Sequence, residues 1–289
     1  TQVYTNLIET VHNNMDAMYK YVALRKELLD VDELRFSDLY VPIVDDVELT
    51  FTYEEACDII LEALRPMGET TWPWCVRGLS ERWIDVYETP GKRSGAYSAG
   101  GYGMHPVILL NFQGKLDDVF TLIHEMGHSI HTYLSCANQP VCYSDYVIFV
   151  AEVASTCNEA LLTRYLLDHA KNERERAYFL NHFLEQFRAT LYRQTMFAEF
   201  ELKVAELTAQ GAGITADALC GIYKELNAQY FGDGIALDEN IALEWARIPH
   251  FYYRFYVYQY ATGFAAAICA FSTYFWTWGE QGREDTWAS

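Results

Sequence analysis

The sequence predicts a mainly α-helical fold that contains a small β-sheet. Three observations indicate this class. Apolar residues recur at spacings of three and four over most of the 289 residues, two short stretches are apolar or β-branched, and a glycine-rich loop joins those stretches. Hydrophobic residues make up 51% of the chain, enough to bury a large core. No linker of Pro, Ser and Gly interrupts the pattern, so one domain over residues 1–289 is expected.

The helices follow from the apolar spacing. Val3–Leu29 carries one apolar stripe and is predicted to be a single helix. Tyr53–Leu64 repeats the pattern and ends before Pro66 and Gly68, which are typical of a helix end. Three further segments are predicted as amphipathic or buried helices: Val150–Leu167, Ala177–Leu207 and Ala216–Tyr230.

Two strands are predicted at Arg82–Tyr87 and Pro106–Phe112. The loop between them, Gly91–Gly103, begins Gly-Lys-Arg-Ser and superficially resembles a phosphate-binding loop. A Walker A motif needs a glycine five residues before its Gly-Lys pair, and Val86 stands there, so phosphate binding is not expected. We expect a mobile loop beside a cleft, with the second strand offering an edge to an extended peptide.

Charge and cysteine usage exclude several classes of protein. The chain has 21 Lys+Arg and 40 Asp+Glu, a formal net charge of −19, which argues against binding of nucleic acid. The N-terminal residues lack a signal-peptide pattern, and the apolar stretch Ala261–Phe271 is too short to cross a membrane. Seven scattered cysteines without a CxxC pair are typical of reduced thiols, so a cytoplasmic location is expected.

The sequence His124-Glu125-Met126-Gly127-His128 matches H-E-x-x-H. On a helix, His124 and His128 lie on one face and can bind the same zinc ion. Glu125 then lies beside the open coordination position, where it can accept a proton from a zinc-bound water. A chance match is expected in about one such chain in fifty, and the alternative is a buried helix with two hydrogen-bonded histidines.

A catalytic zinc site needs a third protein ligand. Glu152 lies in an apolar run where an unpartnered carboxylate would be costly to bury, and a metal would remove that cost. Glu159, seven residues later, returns to the same helical face and could orient a ligand imidazole. The alternative for both is a surface glutamate. His131 is interpreted as a supporting or structural residue, because three histidines of one straight helix cannot converge on one ion.

An aromatic cluster lies further along the chain. A helix over residues 250–263 would place His250, Tyr253, Tyr256 and Tyr260 on roughly one face. A phenol or imidazole donor could stabilise the tetrahedral oxyanion of peptide hydrolysis. The alternative is an aromatic-packed core helix, although buried hydroxyls each need a partner.

These motifs, taken in order, resemble the oligoendopeptidase F branch of the thimet-oligopeptidase family. The resemblance rests on His124–His131, Glu152–Glu159 and His250–Gly263, with Asp38–Pro42 and Gly91–Tyr97 upstream. It implies a zincin-like metallopeptidase fold, mostly helical, in two lobes beside a deep channel. It also implies one zinc per chain, held by three ligands. These are His124, His128 and Glu152.

The resemblance implies the remaining roles as well. Glu125 would be the general base, and His250 with one of three tyrosines would contact the substrate or the oxyanion. The tyrosines in question are Tyr253, Tyr256 and Tyr260. Family chains are about twice this long, so residues 1–289 correspond to the catalytic portion without the N-terminal helical lobe.

The leading hypothesis is therefore a zinc endopeptidase that cleaves internal bonds of short peptides. One alternative is a zinc-binding but catalytically silent fragment that acts as a peptide-binding module, and another is a helical domain without metal. Metal content separates the helical domain without metal from the other two hypotheses. Turnover of a peptide separates the endopeptidase from the silent fragment. The sequence does not specify the cleavage preference or the oligomeric state.

Overall fold

The computed structural model describes residues 2–44, 47, 49–253 and 255–273, except for the side chain of Ile148. Ten α-helices and three short strands are found in these residues, so the predicted mainly helical class with a small sheet is confirmed. The residues group into two compact units. Unit 1 comprises Thr1–Asp46 and Leu180–Thr262, and unit 2 comprises Val47–Phe179 and Gly263–Ser289.

Two helices, α1 (Gln2–His12) and α2 (Met15–Leu28), replace the single N-terminal helix that was predicted. The break falls at a pair of asparagines, whose short amides compete for backbone groups. The Asn14 amide donates to the Thr10 carbonyl oxygen at 2.8 Å, and α2 begins directly after it. Apolar spacing could not reveal the break, because the stripe continues across it.

A π-helical segment, Phe187–Tyr192, interrupts the helix that was predicted over Ala177–Leu207. It separates α7 (Glu173–Gln186) from α8 (Arg193–Ala209), and α9 (Ala216–Phe231) follows as expected. In unit 1 the α8 and α9 helices pack with α1 and α2 around one core. Its most deeply buried side chains include Val22, Met196, Tyr223 and Leu226.

In unit 2, helix α3 (Tyr53–Leu64) has the bounds that were predicted. A capping box begins it, in which the Thr52 hydroxyl accepts from the Glu55 backbone N–H at 3.1 Å and the Glu55 carboxylate accepts from the Thr52 N–H at 2.8 Å. Helices α4 (Gly68–Ser80), α5 (Leu116–Asn138) and α6 (Ile148–Asp168) follow. The helix α10 (Tyr258–Phe271) is the last described. Short 3₁₀ turns lie at Phe36–Tyr40, Arg65–Met67, Val141–Tyr143, Gly232–Gly234, Ile241–Arg247 and Pro249–Tyr252.

The sheet corrects the strand prediction. Its strands are β1 (Ile84–Asp85), β2 (Tyr97–Ala99) and β3 (Val107–Leu109), in the order β1-β3-β2. Strand β3 is parallel to β1 and antiparallel to β2, with Ser98 opposite Ile108. The prediction that β3 offers a free edge to a peptide is wrong, because β3 is the central strand. The two edges are formed by β1 and by β2, and β2 lies inside the glycine-rich loop.

Helices α5 and α6 approach closely at Gly127. A Cβ atom built there would lie 2.7 Å from the Ser155 Cα and 3.0 Å from the Ser155 nitrogen. Real Cβ contacts are longer than this, and the obstacle is backbone, which cannot rotate away. The absence of a side chain at Gly127 therefore sets the spacing of the two helices.

Gly127→Ala is expected to lower the free energy of unfolding of the metal-free chain by about 1–3 kcal/mol, because overpacking outweighs the helix propensity that alanine gains. The control is Gly221→Ala on α9, where nothing lies within 4 Å of the added Cβ. This control should gain about 0.5–1 kcal/mol. Urea titration of the three proteins measures both changes, and equal stabilities for the two variants would contradict the packing argument.

Candidate active site

Three side chains of unit 2 converge as a group that could hold a metal ion: His124, His128 and Glu152. His124 and His128 are one helical turn apart on α5, and Glu152 projects from α6. The two histidine Nε2 atoms are 3.1 Å apart, and the Glu152 Oε2 atom lies 3.4 Å and 3.7 Å from them. Each side chain keeps about a fifth of its surface exposed (25%, 18% and 25%).

The spacing of these donors fits zinc. Nitrogen and oxygen donors bound at about 2.0–2.1 Å in a tetrahedron lie about 3.3 Å from one another. The observed separations of 3.1–3.7 Å bracket this value. Two neutral imidazoles and one carboxylate are also a donor set typical of catalytic zinc. The residues present therefore fit a single zinc ion.

Glu159 supports the site from the next turns of α6. Its Oε1 atom is hydrogen bonded to the Nδ1 atom of His124, which leaves the Nε2 atom of that ring directed at the other two donors. Burial alone would lower the pKa of His124, but the carboxylates of Glu152 and Glu159 outweigh it and raise this pKa to about 10. Burial and the neighbouring His124 lower the pKa of His128 to about 4.

Glu125 is the most deeply buried carboxylate of the site, with 8% of its surface exposed. Burial raises its pKa above the ordinary value, while His124 and a hydrogen bond from the Ser98 backbone act in the opposite direction. A carboxylate with a raised pKa is a better proton acceptor than an ordinary glutamate, which suits a general base. Ser98 also links β2 to α5, because its hydroxyl lies 2.8 Å from that of Ser129.

A cavity of about 480 Å³ opens beside His128 and Glu152. Strand β2 and the glycines after it form one wall, and Tyr146 forms part of another. The Tyr146 ring stacks on His131 with centroids 3.8 Å apart, and its hydroxyl lies 2.8 Å from that of Thr132. His131 thus packs against the cavity wall and is outside the three-donor group, in agreement with its interpretation as a supporting residue.

The aromatic cluster lies in unit 1, and the predicted helix over residues 250–263 is wrong. His250 belongs to the 3₁₀ turn Pro249–Tyr252, and α10 begins only at Tyr258. Phe255 between them has φ of 53°, in the left-handed region. Its N–H donates to the Glu201 Oε1 atom at 3.0 Å, so this N–H is not used for a helical bond to the residue four positions earlier.

The turn nevertheless gathers three of the four predicted rings. The His250 centroid lies 5.9 Å from that of Tyr256 and 5.8 Å from that of Tyr260, and the two tyrosine rings are 5.5 Å apart. The Tyr260 hydroxyl lies 3.4 Å from the His250 Nε2 atom. Tyr253 is at the margin, 67% exposed and 6.5 Å from Tyr256.

Sequence reasoning missed Ser98, Tyr146 and Asn158. Asn158 is 3% exposed, and its amide donates to the Ile123 carbonyl oxygen at 3.4 Å, which ties α6 to α5 just before His124. A polar residue ten positions before the end of the apolar helix α6 was a signal for Asn158. Nothing in the glycine-rich segment singled out Ser98, since its role depends on the position of β2.

Several known proteins are similar to this chain in sequence. The chain is 51% identical over 266 residues to oligopeptidase PepF of Bacillus subtilis (strain 168) and 47% identical over 266 residues to the chromosomal oligoendopeptidase F of Lactococcus lactis subsp. cremoris. Each alignment covers 92% of this chain, but 40% and 44% of those relatives.

Solved structures are similar in the same way. The crystal structure of oligoendopeptidase-F from Enterococcus faecium matches 95% of this chain with a TM-score of 0.71 and 36% identity, and 42% of that protein is covered. A chain from Chlamydophila abortus matches 99% with a TM-score of 0.88 and 40% identity, and 47% of it is covered. The chain thus spans less than half the length of these relatives.

The chain also matches a protein family over almost its whole length. The model of Peptidase family M3 matches residues 1–284, which include all eight predicted metal-binding and catalytic residues. The resemblance recognised from the sequence motifs is thereby confirmed, together with the zincin-like peptidase fold that it implied. The chain belongs to peptidase family M3.

Proposed function

We propose that this chain carries the active site of a zinc-dependent endopeptidase that hydrolyses internal peptide bonds of short oligopeptides. The observation that carries the proposal is the three-donor group of His124, His128 and Glu152 at tetrahedral spacing. Glu125, which follows His124 in the same helix, is buried. Membership of peptidase family M3 and the names of the relatives support it. One zinc ion per chain is proposed, with short peptides as substrates.

His124, His128 and Glu152 would hold the zinc ion, and Glu159 would fix the tautomer and orientation of the His124 ring. Zinc in such a site supplies Lewis-acid catalysis and lowers the pKa of a water molecule. Glu125 would accept a proton at its carboxylate from the water that attacks the scissile carbonyl, and would return the proton to the leaving amine. Because its pKa is raised by burial, the first of these transfers costs less than it would for an ordinary glutamate.

Strand β2 is the proposed peptide-binding edge. Among the described residues β2 pairs only with β3, so its other side can hydrogen bond to an extended chain. The cavity beside it contains polar groups from Ser98, Asp145 and Tyr146 and borders the proposed zinc ligands. A peptide that lies along β2 would therefore bring a carbonyl group towards Glu125 and the ligands.

His250, Tyr253, Tyr256 and Tyr260 are proposed to contact the substrate or its oxyanion. Hydroxyl and imidazole groups that pack against one another are already held in position, so they need to move little when a charge develops beside them. Tyr256 and Tyr260 are favoured as hydroxyl donors, because both pack on His250, whereas Tyr253 lies at the margin of the cluster.

A catalytically silent, zinc-binding module is the second candidate. It is favoured by one observation, that the chain spans less than half the length of its relatives. Zinc content by mass spectrometry and cleavage of a mixed pool of short peptides distinguish the candidates. Zinc with internal cleavage supports the endopeptidase, zinc without cleavage supports the silent module, and a folded chain that binds no zinc would contradict both.

Glu159→Ala is expected to weaken zinc binding by about 10–100-fold, because the His124 ring loses the partner that orients it. Competition with a chromophoric chelator measures the affinity. Glu173→Ala, an exposed glutamate in the first turn of α7, serves as the control and should leave the affinity unchanged. Equal affinities for all three proteins would contradict the supporting role of Glu159.

A cytoplasmic location is also proposed. All seven cysteines are free thiols, and unpaired thiols in this number are typical of a reducing compartment. In the part of the chain that the structure describes, no helix combines the length and apolar character needed to span a membrane.

A further inference from the structure

Phe255–Val257 form a short non-helical reversal between the 3₁₀ turn that holds His250 and the start of α10. Phe255, at its start, has φ of 53°. A bulky side chain is rarely found in this region, because its Cβ crowds the following backbone, so other contacts must hold it there. The reversal brings Tyr256 onto the face of His250, with the ring planes 19° apart.

The contacts that hold the reversal come from α8 and α1. The Glu201 Oε1 atom on α8 accepts the Phe255 N–H at 3.0 Å, and the Tyr4 hydroxyl on α1 lies 3.4 Å from the Glu201 Oε2 atom. The Tyr4 ring also packs edge-on against Phe255 with centroids 5.6 Å apart, and it contacts Tyr258 at 5.2 Å. Both sides of the strained residue are thereby fixed, its amide by a carboxylate and its side chain by an aromatic ring.

Glu201 has no part in the metal-binding group, which lies in unit 2. Burial raises the pKa of Glu201 to about 7, while its hydrogen bonds with Phe255 and Tyr4 act in the opposite direction. A half-buried carboxylate that accepts from a backbone N–H forms a stronger hydrogen bond than a neutral acceptor does. Such a group is well suited to anchor a strained backbone segment.

We propose that Glu201 is a positioning residue, which holds the Phe255–Val257 reversal through the Phe255 N–H and so keeps Tyr256 packed on His250. The catalytic consequence rests on the proposed function of His250 and Tyr256. Without the carboxylate, Phe255 is expected to return to an ordinary backbone conformation. Tyr256, the next residue, then turns away from the imidazole.

Three variants of the full chain test the proposal. Glu201→Ala removes the acceptor, Glu201→Gln keeps an acceptor oxygen without the charge, and Glu206→Ala changes an exposed glutamate of the same helix as a control. NMR measures hydrogen exchange of the Phe255 amide and the nuclear Overhauser effect between the His250 and Tyr256 rings. Turnover of a short peptide by the zinc-loaded chain gives kcat and KM separately.

Glu201→Ala is expected to speed exchange of the Phe255 amide and to abolish the ring–ring signal, while kcat falls about 10–100-fold with KM nearly unchanged. Glu201→Gln should retain most of each property, and Glu206→Ala all of them. Asparagine tolerates the left-handed region, so Glu201→Ala combined with Phe255→Asn should recover part of the ring–ring signal. A purely structural role would give no such recovery.

An unchanged ring–ring signal or unchanged kcat in Glu201→Ala would overturn the proposal. If the parent chain binds zinc but cleaves nothing, the proposed function fails. The exchange rate and the ring–ring signal then decide the positioning claim on their own, because neither depends on turnover. If Glu201→Ala does not fold, the ring–ring signal and the turnover of Glu201→Gln decide it: slower turnover with an intact ring–ring signal contradicts positioning.

Discussion

Glu125→Gln is expected to lower kcat for cleavage of a short peptide by about 10²–10⁴-fold, the usual contribution of a general base. Glutamine has nearly the same shape but cannot take a proton, so the side chain can still accept the hydrogen bond from the Ser98 backbone. The three proposed zinc ligands are untouched. Steady-state kinetics on the zinc-loaded parent and variant measure the loss, and zinc content is measured on the same samples.

The pH profile provides an independent check on the same residue. Because burial raises the pKa of Glu125, the carboxylate is protonated, and the parent inactive, at a pH where an ordinary glutamate would still be ionised. With zinc kept saturating at every pH, the acid limb of kcat/KM should therefore lie above the ordinary glutamate value, and the residual activity of Glu125→Gln should lack this limb. A variant that keeps full activity and its zinc would exclude Glu125 as the base.

Zinc affinity is expected to rise about tenfold for each pH unit between pH 6 and pH 8, about 10²-fold in all. The sign follows from His124. In the metal-free chain its pKa is about 10, so it carries a proton over this range, and zinc must displace that proton from the ring. His128 contributes no proton, since its pKa is lowered to about 4.

Isothermal titration calorimetry in buffers of different ionisation enthalpy measures the number of protons released on zinc binding. About one proton per zinc is expected at pH 7. Removing zinc with a chelator and returning it should restore the same proton count, which separates reversible binding from unfolding. An affinity that is flat from pH 6 to pH 8 would contradict a protonated His124 between two carboxylates.

The metal-binding group was the most predictable part of the molecule. His124 and His128 follow from helical spacing alone, and Glu152 follows from the cost of a carboxylate in an apolar run. The approach of Glu152 to the two histidines could not be derived from the sequence, because it depends on how closely α5 and α6 pack at Gly127. The relevant signal, a glycine inside a helix, is compatible with several causes when only the sequence is known.

The aromatic cluster illustrates what local patterns cannot provide. Periodicity places His250, Tyr256 and Tyr260 on one helical face, and their rings do meet, but through a reversal that no periodic pattern describes. The Phe255 conformation depends on Glu201, 54 residues earlier in the chain. Likewise β2 was missed because three residues in a glycine-rich loop become a strand only when β3 is present to pair with them.

The close approach of α5 and α6 has a consequence for which cations the site accepts. Because backbone meets backbone at Gly127, the two helices cannot move closer, and the buried Asn158 amide resists their separation. The distances between the three donor atoms are therefore nearly fixed. Calcium prefers six to eight oxygen ligands at about 2.3–2.6 Å. It would therefore have to push the three donor atoms apart and would still lack ligands. In the proposed zinc site, discrimination between cations by size would therefore follow from the missing side chain at Gly127, without any residue dedicated to it.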